Sequence, residues 1–234
     1  MDYDLVVFDI AGTTVFDGDA VGTCLREALE HVAKTSFDRD EVNAVMGIAK
    51  PVAITQLLKG RFGRTPDSAQ VDEVHRDFQS RMLEHYRTSP EVREVAGAAE
   101  VFRELRGQGV KVALDTGFGR PITNAVLARL GWSVPGVIDA TVTSDDVSAG
   151  RPAPDMVFRA MQLTGVTDPA RVVKVGDTPS DLYEGANAGC GMVVGVTSGS
   201  HTAEELRTHP FTALIESILD FPRLLASCPA RTPA

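Results

Sequence analysis

Apolar positions along the chain follow two different periods. Leu5-Val6-Val7-Phe8 is an unbroken apolar run, the pattern of a strand buried on both faces. It stops at Asp9, and Gly12 opens a turn. The period then changes. Val21, Cys24, Leu25, Ala28, Leu29 and Val32 recur on one helical face. Ile54, Leu57, Leu58 and Phe62 predict a second helix, and Val71, Val74, Phe78, Met82 and Tyr86 a third. About seventy residues after the first strand therefore read as helical.

Beyond them, strands and helices alternate. A helix near Val101, Phe102 and Leu105 precedes a strand over 110–114. A helix carrying Ile122, Val126, Leu127 and Leu130 precedes a strand over 137–141. A helix around Val157, Ala160 and Met161 precedes a strand over 172–175, and a helix over 179–188 precedes a strand over 192–196. That order predicts an α/β fold, a Rossmann-like doubly wound parallel sheet with an inserted all-helical cap. The core is expected at 1–15 and 90–234, and the cap, setting substrate specificity, at 16–89. No internal repeat is visible, and 228–234 reads as a frayed tail.

Composition narrows the partners. The chain has 234 residues, 43% of them hydrophobic and 24% charged, which suits a globular fold and not a disordered one. The charge of −9 opposes non-specific nucleic-acid binding. No apolar run approaches the ~20 residues of a membrane span. The acidic start, Met1-Asp2-Tyr3-Asp4, does not read as a signal peptide, so none is expected. Cys24, Cys190 and Cys228 form neither a zinc spacing nor a disulfide framework, so a cytoplasmic home is expected. His31, His75, His85, His201 and His209 make no metal pair at helical spacing. His31 and His75 read as surface residues, His201 as a weak candidate near the rim, and Trp132 as packing after a helix end.

In open α/β sheets ligands bind beyond the carboxyl ends of the strands. Those ends read Asp9-Ile10-Ala11-Gly12-Thr13-Thr14, Asp115-Thr116-Gly117-Phe118-Gly119-Arg120, Thr143-Ser144-Asp145-Asp146 with Gly150-Arg151-Pro152, and Gly176-Asp177-Thr178-Pro179-Ser180-Asp181. Singly, an aspartate after a strand is a helix cap or turn residue. Together they suit phosphoryl chemistry. A carboxylate can attack phosphorus. Asp177 and Asp181 could hold Mg²⁺, a hard cation that bridges to phosphate. Arg151 could neutralise nucleophile and phosphate, while Thr116 and the backbone amides of the Gly12-Thr13 turn hold the other oxygens. Gly117, Phe118 and Arg120 lie on a loop where specificity would reside.

The constellation resembles the haloacid dehalogenase superfamily of phosphohydrolases over nearly the whole chain. The resemblance implies Asp9 as nucleophile, Thr116 and Arg151 as phosphate and charge partners, and Mg²⁺ held by Asp9, the Ala11 carbonyl and Asp177, with Asp181 assisting. Most phosphatases of the superfamily place an acid where this chain has Ala11. The phosphonatase branch shares that alanine, and its Asp-x-Ala-Gly-Thr-Thr is similar to Asp9 to Thr14. Its Met-Gly-x-x-Lys is similar to Met46-Gly47-Ile48-Ala49-Lys50, which implies Lys50 as a Schiff-base lysine and a small phosphonate substrate. Three segments depart from that branch: Pro51 to Ile54 lacks its histidine, Phe118 replaces a tyrosine, and Asp17-Gly18-Asp19 opens the cap differently.

Alternatives stay open. A phosphomonoesterase of the same superfamily would need no Schiff base. A signalling phosphoacceptor would carry an acidic pair at the first strand, and this chain has one Asp there. A non-catalytic binding protein would not need Asp9, Thr116, Arg151, Asp177 and Asp181 together. A lysine preceding Pro51 is, outside such a motif, a solvated surface residue. The resemblance to the phosphonatase branch, whose members can dimerise through cap helices, implies a possible homodimer.

Overall fold

The computed structural model describes residues 3–227; the tail, with Cys228, and the Met1-Asp2 start lie outside them. Strand β1 (Leu5–Asp9) is followed by a two-residue strand β2 (Val15–Phe16) and four helices, α1 (Ala20–Ala33), α2 (Arg39–Asn43), α3 (Lys50–Phe62) and α4 (Ser68–Thr88). Strand β3 (Arg93–Glu94) pairs antiparallel with β2, so one short ribbon joins the two ends of the helical segment. Then come α5 (Ala98–Gly107), β4 (Lys111–Thr116), α6 (Arg120–Leu130), β5 (Ala140–Thr143), α7 (Asp155–Thr164), β6 (Val172–Gly176), α8 (Pro179–Ala188) and β7 (Met192–Val196). Helix α9 (Ala203–Leu206), β8 (Ala213–Ile215) and α10 (Phe221–Ser227) complete the described chain. Among the described residues no helix is long and apolar enough to cross a membrane.

The six long-range strands form one parallel sheet in the order β5-β4-β1-β6-β7-β8. Side chains alternate between its faces. Val6 and Phe8 of β1 join the larger cluster, where Phe8 packs on Phe102 and Phe221 with ring centroids 5.4 Å apart. Leu5 and Val7 face the other way, onto Ala113, Met156 and Val157. Both faces are covered, which is why the strands read as continuous apolar runs. The alternation puts Asp9, Asp115 and Lys174 on the same face as Val7 and Ala113, with Asp9 and Asp115 at its carboxyl end and Lys174 level with Val7.

Helix boundaries follow local chemistry. The Asp67 carboxylate accepts the Gln70 N–H at 2.7 Å and starts α4, and Gly63 in the left-handed region ends α3. Two expectations shift. The strand expected over 137–141 begins at Ala140, because Val137 and Ile138 N–H donate to Ser133 O in a turn and sheet pairing starts only at Asp139 N–H. The β2–β3 ribbon and β8 escape a periodicity reading because two or three residues carry no period. Trp132 packs edge-on against Phe102, centroids 5.2 Å apart.

Candidate active site

The turn after β1 is built around Gly12. Thr14 and Val15 N–H donate to Ile10 O at 3.0 and 2.8 Å. The Gly12 N–H donates to Val15 O at 2.9 Å, so this amide, expected to serve phosphate, is already engaged. Gly12 has φ +84°, and a Cβ there would stand 2.5 Å from Asp177 Oδ2. Only glycine lets the turn approach that carboxylate. Asp177 is fixed by three donors. Thr13 Oγ1 reaches Oδ1 at 3.1 Å, and Ser200 N and Oγ reach Oδ2 at 2.7 and 2.8 Å.

Beside it lies a buried charge cluster. Arg151 Nη2 contacts Asp9 Oδ1 and Asp115 Oδ1, each at 2.7 Å; Nη1 contacts Asp181 at 2.9 Å and Nε contacts Glu184 at 3.2 Å. Lys174 Nζ contacts Asp115, Asp181 at 3.2 Å and Glu184 at 3.0 Å. Asp181 and Glu184 are three residues apart on α8 and so share a face. Burial pushes Asp9 up to about 8, with Asp181 and Asp177 adding to the rise and Arg151 and Lys174 opposing it. Burial and the Asp181 charge also raise Asp177. Asp115 differs: burial opposes its charge, yet Arg151 and Lys174 hold it below the usual range.

Lys50 arrives from the helical segment as the first residue of α3. It is not the surface residue that its setting before Pro51 suggests; it is 4% exposed. The turn before it is pressed onto three core loops. A Cβ on Gly47 (φ +81°) would stand 2.3 Å from Thr178 Oγ1, one on Gly117 would stand 3.4 Å from Ile48 O, and one on Gly150 would meet Ala49 Cβ at 3.6 Å. Lys50 Nζ lies 5.9 Å from the centre of the Phe78 ring. No carboxylate of the described residues pairs with it. Burial lowers it to about 8, and Arg151 adds to the fall.

Asp9, Ala11, Gly12, Met46, Gly47, Lys50, Thr116, Gly117, Phe118, Arg151 and Asp177 line one cavity of about 260 Å³. Thr116 Oγ1 accepts the Phe118 N–H at 3.1 Å. Three candidates lie outside the lining. Thr13 is behind Asp177, and Asp181 is fully buried among Thr178, Arg151 and Lys174. Arg120 is turned away: it pairs with Asp146 and donates to Thr141 Oγ1 at 2.8 Å, so it corrects the expectation of a substrate contact. Of the histidines, His31 is exposed and pairs with Asp77 at 3.3 Å, His75 is half-buried against Phe78, and His201 touches Ser200 Oγ at 3.0 Å.

Sequence reasoning passed over Lys174, Glu184 and Ser200, and noted Asp17 only as part of a segment that departs from the phosphonatase branch. Asp17 lines the cavity and accepts the Tyr86 O–H at 2.9 Å, and Tyr86 in turn meets Phe118 edge-on. The one available signal was Lys174, a charge inside an apolar strand run, which must find partners.

The donor set also suits a divalent cation. Carboxylate oxygens of Asp9, Asp177 and Asp181 lie within 4.8 Å of one another, all buried. An all-oxygen, anionic set suits a hard cation. The raised Asp9 and Asp177 are groups that such a charge would return to the ionised form.

Residues 3–189 match the family model of haloacid dehalogenase-like hydrolases. The phosphonoacetaldehyde hydrolase of Bacillus cytotoxicus is 33% identical over 232 residues, covering 92% of this chain and 85% of the relative. A phosphonoacetaldehyde hydrolase-like protein from Oleispira antarctica superposes with a TM-score of 0.81 at 22% identity, over 97% of this chain and 92% of that one. A protein of Lactobacillus delbrueckii subsp. bulgaricus described as a phosphoglycolate phosphatase superposes with a TM-score of 0.78 at 20% identity, over 96% and 99%. At those identities the two structures speak for the fold alone.

Proposed function

Since the chain belongs to the haloacid dehalogenase-like hydrolases, and to their phosphonatase-like branch, we propose that it cleaves the carbon–phosphorus bond of a small phosphonate aldehyde. One observation carries this reading: the buried Lys50 amine, held at about 8, opens into the same cavity as the Asp9 carboxylate. An amine must be neutral to attack a carbonyl, and burial beside Arg151 brings that state down to about pH 8, within reach of neutral pH.

The Lys50 amine adds to the aldehyde carbon and water leaves, giving an iminium. An Asp9 carboxylate oxygen attacks phosphorus in line with the carbon. The C–P bond breaks and its electron pair enters the iminium, giving an enamine. Protonation at carbon and hydrolysis release acetaldehyde and restore Lys50. Water then attacks the aspartyl-phosphate, releasing phosphate. This scheme accounts for Ala11: the departing electrons go to the iminium, so no acid is needed to protonate a leaving oxygen. Arg151, in contact with Asp9, offsets the charge that gathers at phosphorus. Thr116 uses its oxygen as acceptor toward Phe118 N–H, which leaves its hydroxyl proton for a phosphoryl oxygen. Mg²⁺, held by Asp9, the Ala11 carbonyl and Asp177 with Asp181 behind, would neutralise nucleophile and phosphonate as they meet. The helical segment 16–89 acts as the cap that delivers Lys50 and shapes the leaving-group end of the cavity.

The test is phosphate release from phosphonoacetaldehyde with Mg²⁺, comparing wild type with Lys50→Arg. Release by wild type, none by the variant, and a borohydride-trapped adduct on Lys50 support the reading. Release from phosphate esters only, with no adduct, would replace it with a phosphomonoesterase.

A further inference from the structure

Lys174 is the buried cation that the scheme above leaves without a task. It sits in the middle of β6, hydrogen-bonded in register between Val7 of β1 and Val193 of β7, and is fully buried. Its side chain runs under α8, where a Cβ on Gly185 would come within 2.8 Å of Lys174 Cβ. A lysine placed there displaces apolar packing and must be matched by acids. Three match it, and all three also contact Arg151. Asp115, Asp181 and Glu184 thus form an inner layer shared between the two cations.

Asp9 stands outside that layer, and among the described residues only Arg151 pairs with it. The contact is made by Nη2, the same nitrogen that serves Asp115 at an equal 2.7 Å. Nη2 is therefore contested between the inner layer and the nucleophile. Two cations face four carboxylates. If Lys174 were absent, Arg151 alone would face three inner carboxylates in a water-poor interior, and the pull on Nη2 would be inward.

We propose that Lys174 is a positioning residue: by satisfying the inner layer of Asp115, Asp181 and Glu184, it leaves Arg151 Nη2 extended toward Asp9. This rests on Asp9 being the nucleophile. The role is exerted through Arg151, since Lys174 does not line the cavity. It assigns Glu184 the converse part, as the inner carboxylate whose removal relaxes the pull on Arg151.

The experiment compares Lys174→Met, Lys174→Met/Glu184→Gln and Asp9→Asn, with phosphonoacetaldehyde or, if only esters are cleaved, p-nitrophenyl phosphate. Mg²⁺ affinity is measured alongside by calorimetry. Lys174→Met should lower kcat about 100-fold, the scale of losing one preorganised electrostatic contact, with KM within about threefold. The double variant should recover about tenfold of that loss, because one competing carboxylate is gone. Mg²⁺ affinity should change less than kcat in both. A folded Lys174→Met with kcat within threefold of wild type overturns the proposal. So does a folded double variant with no recovery, or a loss of kcat fully accounted for by lost Mg²⁺ affinity. If Lys174→Met does not fold, the double variant carries the test: kcat about tenfold below wild type supports the proposal, and wild-type kcat overturns it. Asp9→Asn separates the two readings. If it keeps activity, the nucleophile assignment fails; if it is inactive while Lys174→Met is not, this inference alone fails.

Discussion

Among the described residues two lysines are buried, and the regions that hold them treat the amine in opposite ways. Lys50 is brought by the helical segment to the cavity wall, where its neighbours are the Phe78 ring and the Arg151 charge. Lys174 is built into the central sheet among three carboxylates. Burial disfavours the ammonium form at both sites. At Lys50 nothing outweighs it, and the amine falls to about 8. At Lys174 the carboxylates outweigh both burial and Arg151, and the amine is raised. Burial alone does not decide what a lysine does; the sign of its neighbours does. Under the proposed scheme, one region supplies a reagent and the other a fixed charge.

The largest effect should come from converting the reagent into a fixed charge. Lys50→Arg keeps a cation but removes the lysine amine that, among the described residues, lines the cavity, so under the proposed scheme cleavage of phosphonoacetaldehyde should fall by at least about 10³-fold. The hundredfold expected at Lys174 is smaller because that residue acts at one remove. Equal losses at the two sites would break the comparison.

The pH response separates the regions next. Neutral Lys50 rises with pH, so adduct formation should climb about tenfold per unit up to about 8 and then level. The same shift has a stability consequence. The folded value, about 8, lies below the unfolded 10.5, so the native state binds fewer protons between them. Stability is therefore reduced below about 8 and is regained as pH rises toward the unfolded value. Lys50→Met should raise stability at pH 7 by up to about 3 kcal/mol and give no such gain at pH 10.5. Urea unfolding at the two pH values checks the sign. Equal gains would mean that Lys50 carries no such penalty.

The contrast also explains what could be read from the chain. The rim of Asp9, Thr116 and Asp177 is legible because each closes or follows an apolar run, and parallel strands bring such ends to one edge; Arg151 comes from the loop beyond β5. Lys174 is not legible in that way, because Val172-Val173-Lys174-Val175 satisfies an apolar strand pattern with one tolerated exception. Its partners come from β4 and α8, so the sequence shows a charge in need of partners and only tertiary pairing reveals which ones. Lys50 is half legible. Its motif marks it, but its burial depends on Gly47 and Gly117 letting two backbones touch. Arg120 misleads for the same reason. Its loop is at the rim, yet Asp146 and Thr141 draw the side chain away.

A smaller effect should follow from disturbing that contact. Gly47→Ala puts a methyl group into a backbone with φ +81° and 2.3 Å from Thr178 Oγ1. The turn carrying Lys50 must shift by a few tenths of an ångström or more. A displacement of that order should lower cleavage of the aldehyde about tenfold. Hydrolysis of p-nitrophenyl phosphate, which needs no iminium, should fall less. Equal losses would show that the turn serves Asp177 and Asp181 as much as Lys50.

The smallest effect is expected beneath Lys50 itself. Besides the Asp9 charge, which opposes the fall without outweighing it, the amine faces the Phe78 ring, 5.9 Å from the ring centre. An aromatic face favours the ammonium form by about 0.5–1 kcal/mol. Phe78→Leu removes the face and keeps the site apolar, so the midpoint of adduct formation should move down by about half a unit. Loss of ring volume works the other way if water enters and solvates the ammonium. The two causes have opposite signs, so the direction of the shift decides between them. A lower midpoint would mean that the ring acts through its charge distribution, leaving Lys50 with a weak partner where Lys174 has three strong ones. A higher midpoint would mean that its task is to keep water out, and that the Lys50 region depends on dryness as fully as the Lys174 region depends on paired charge.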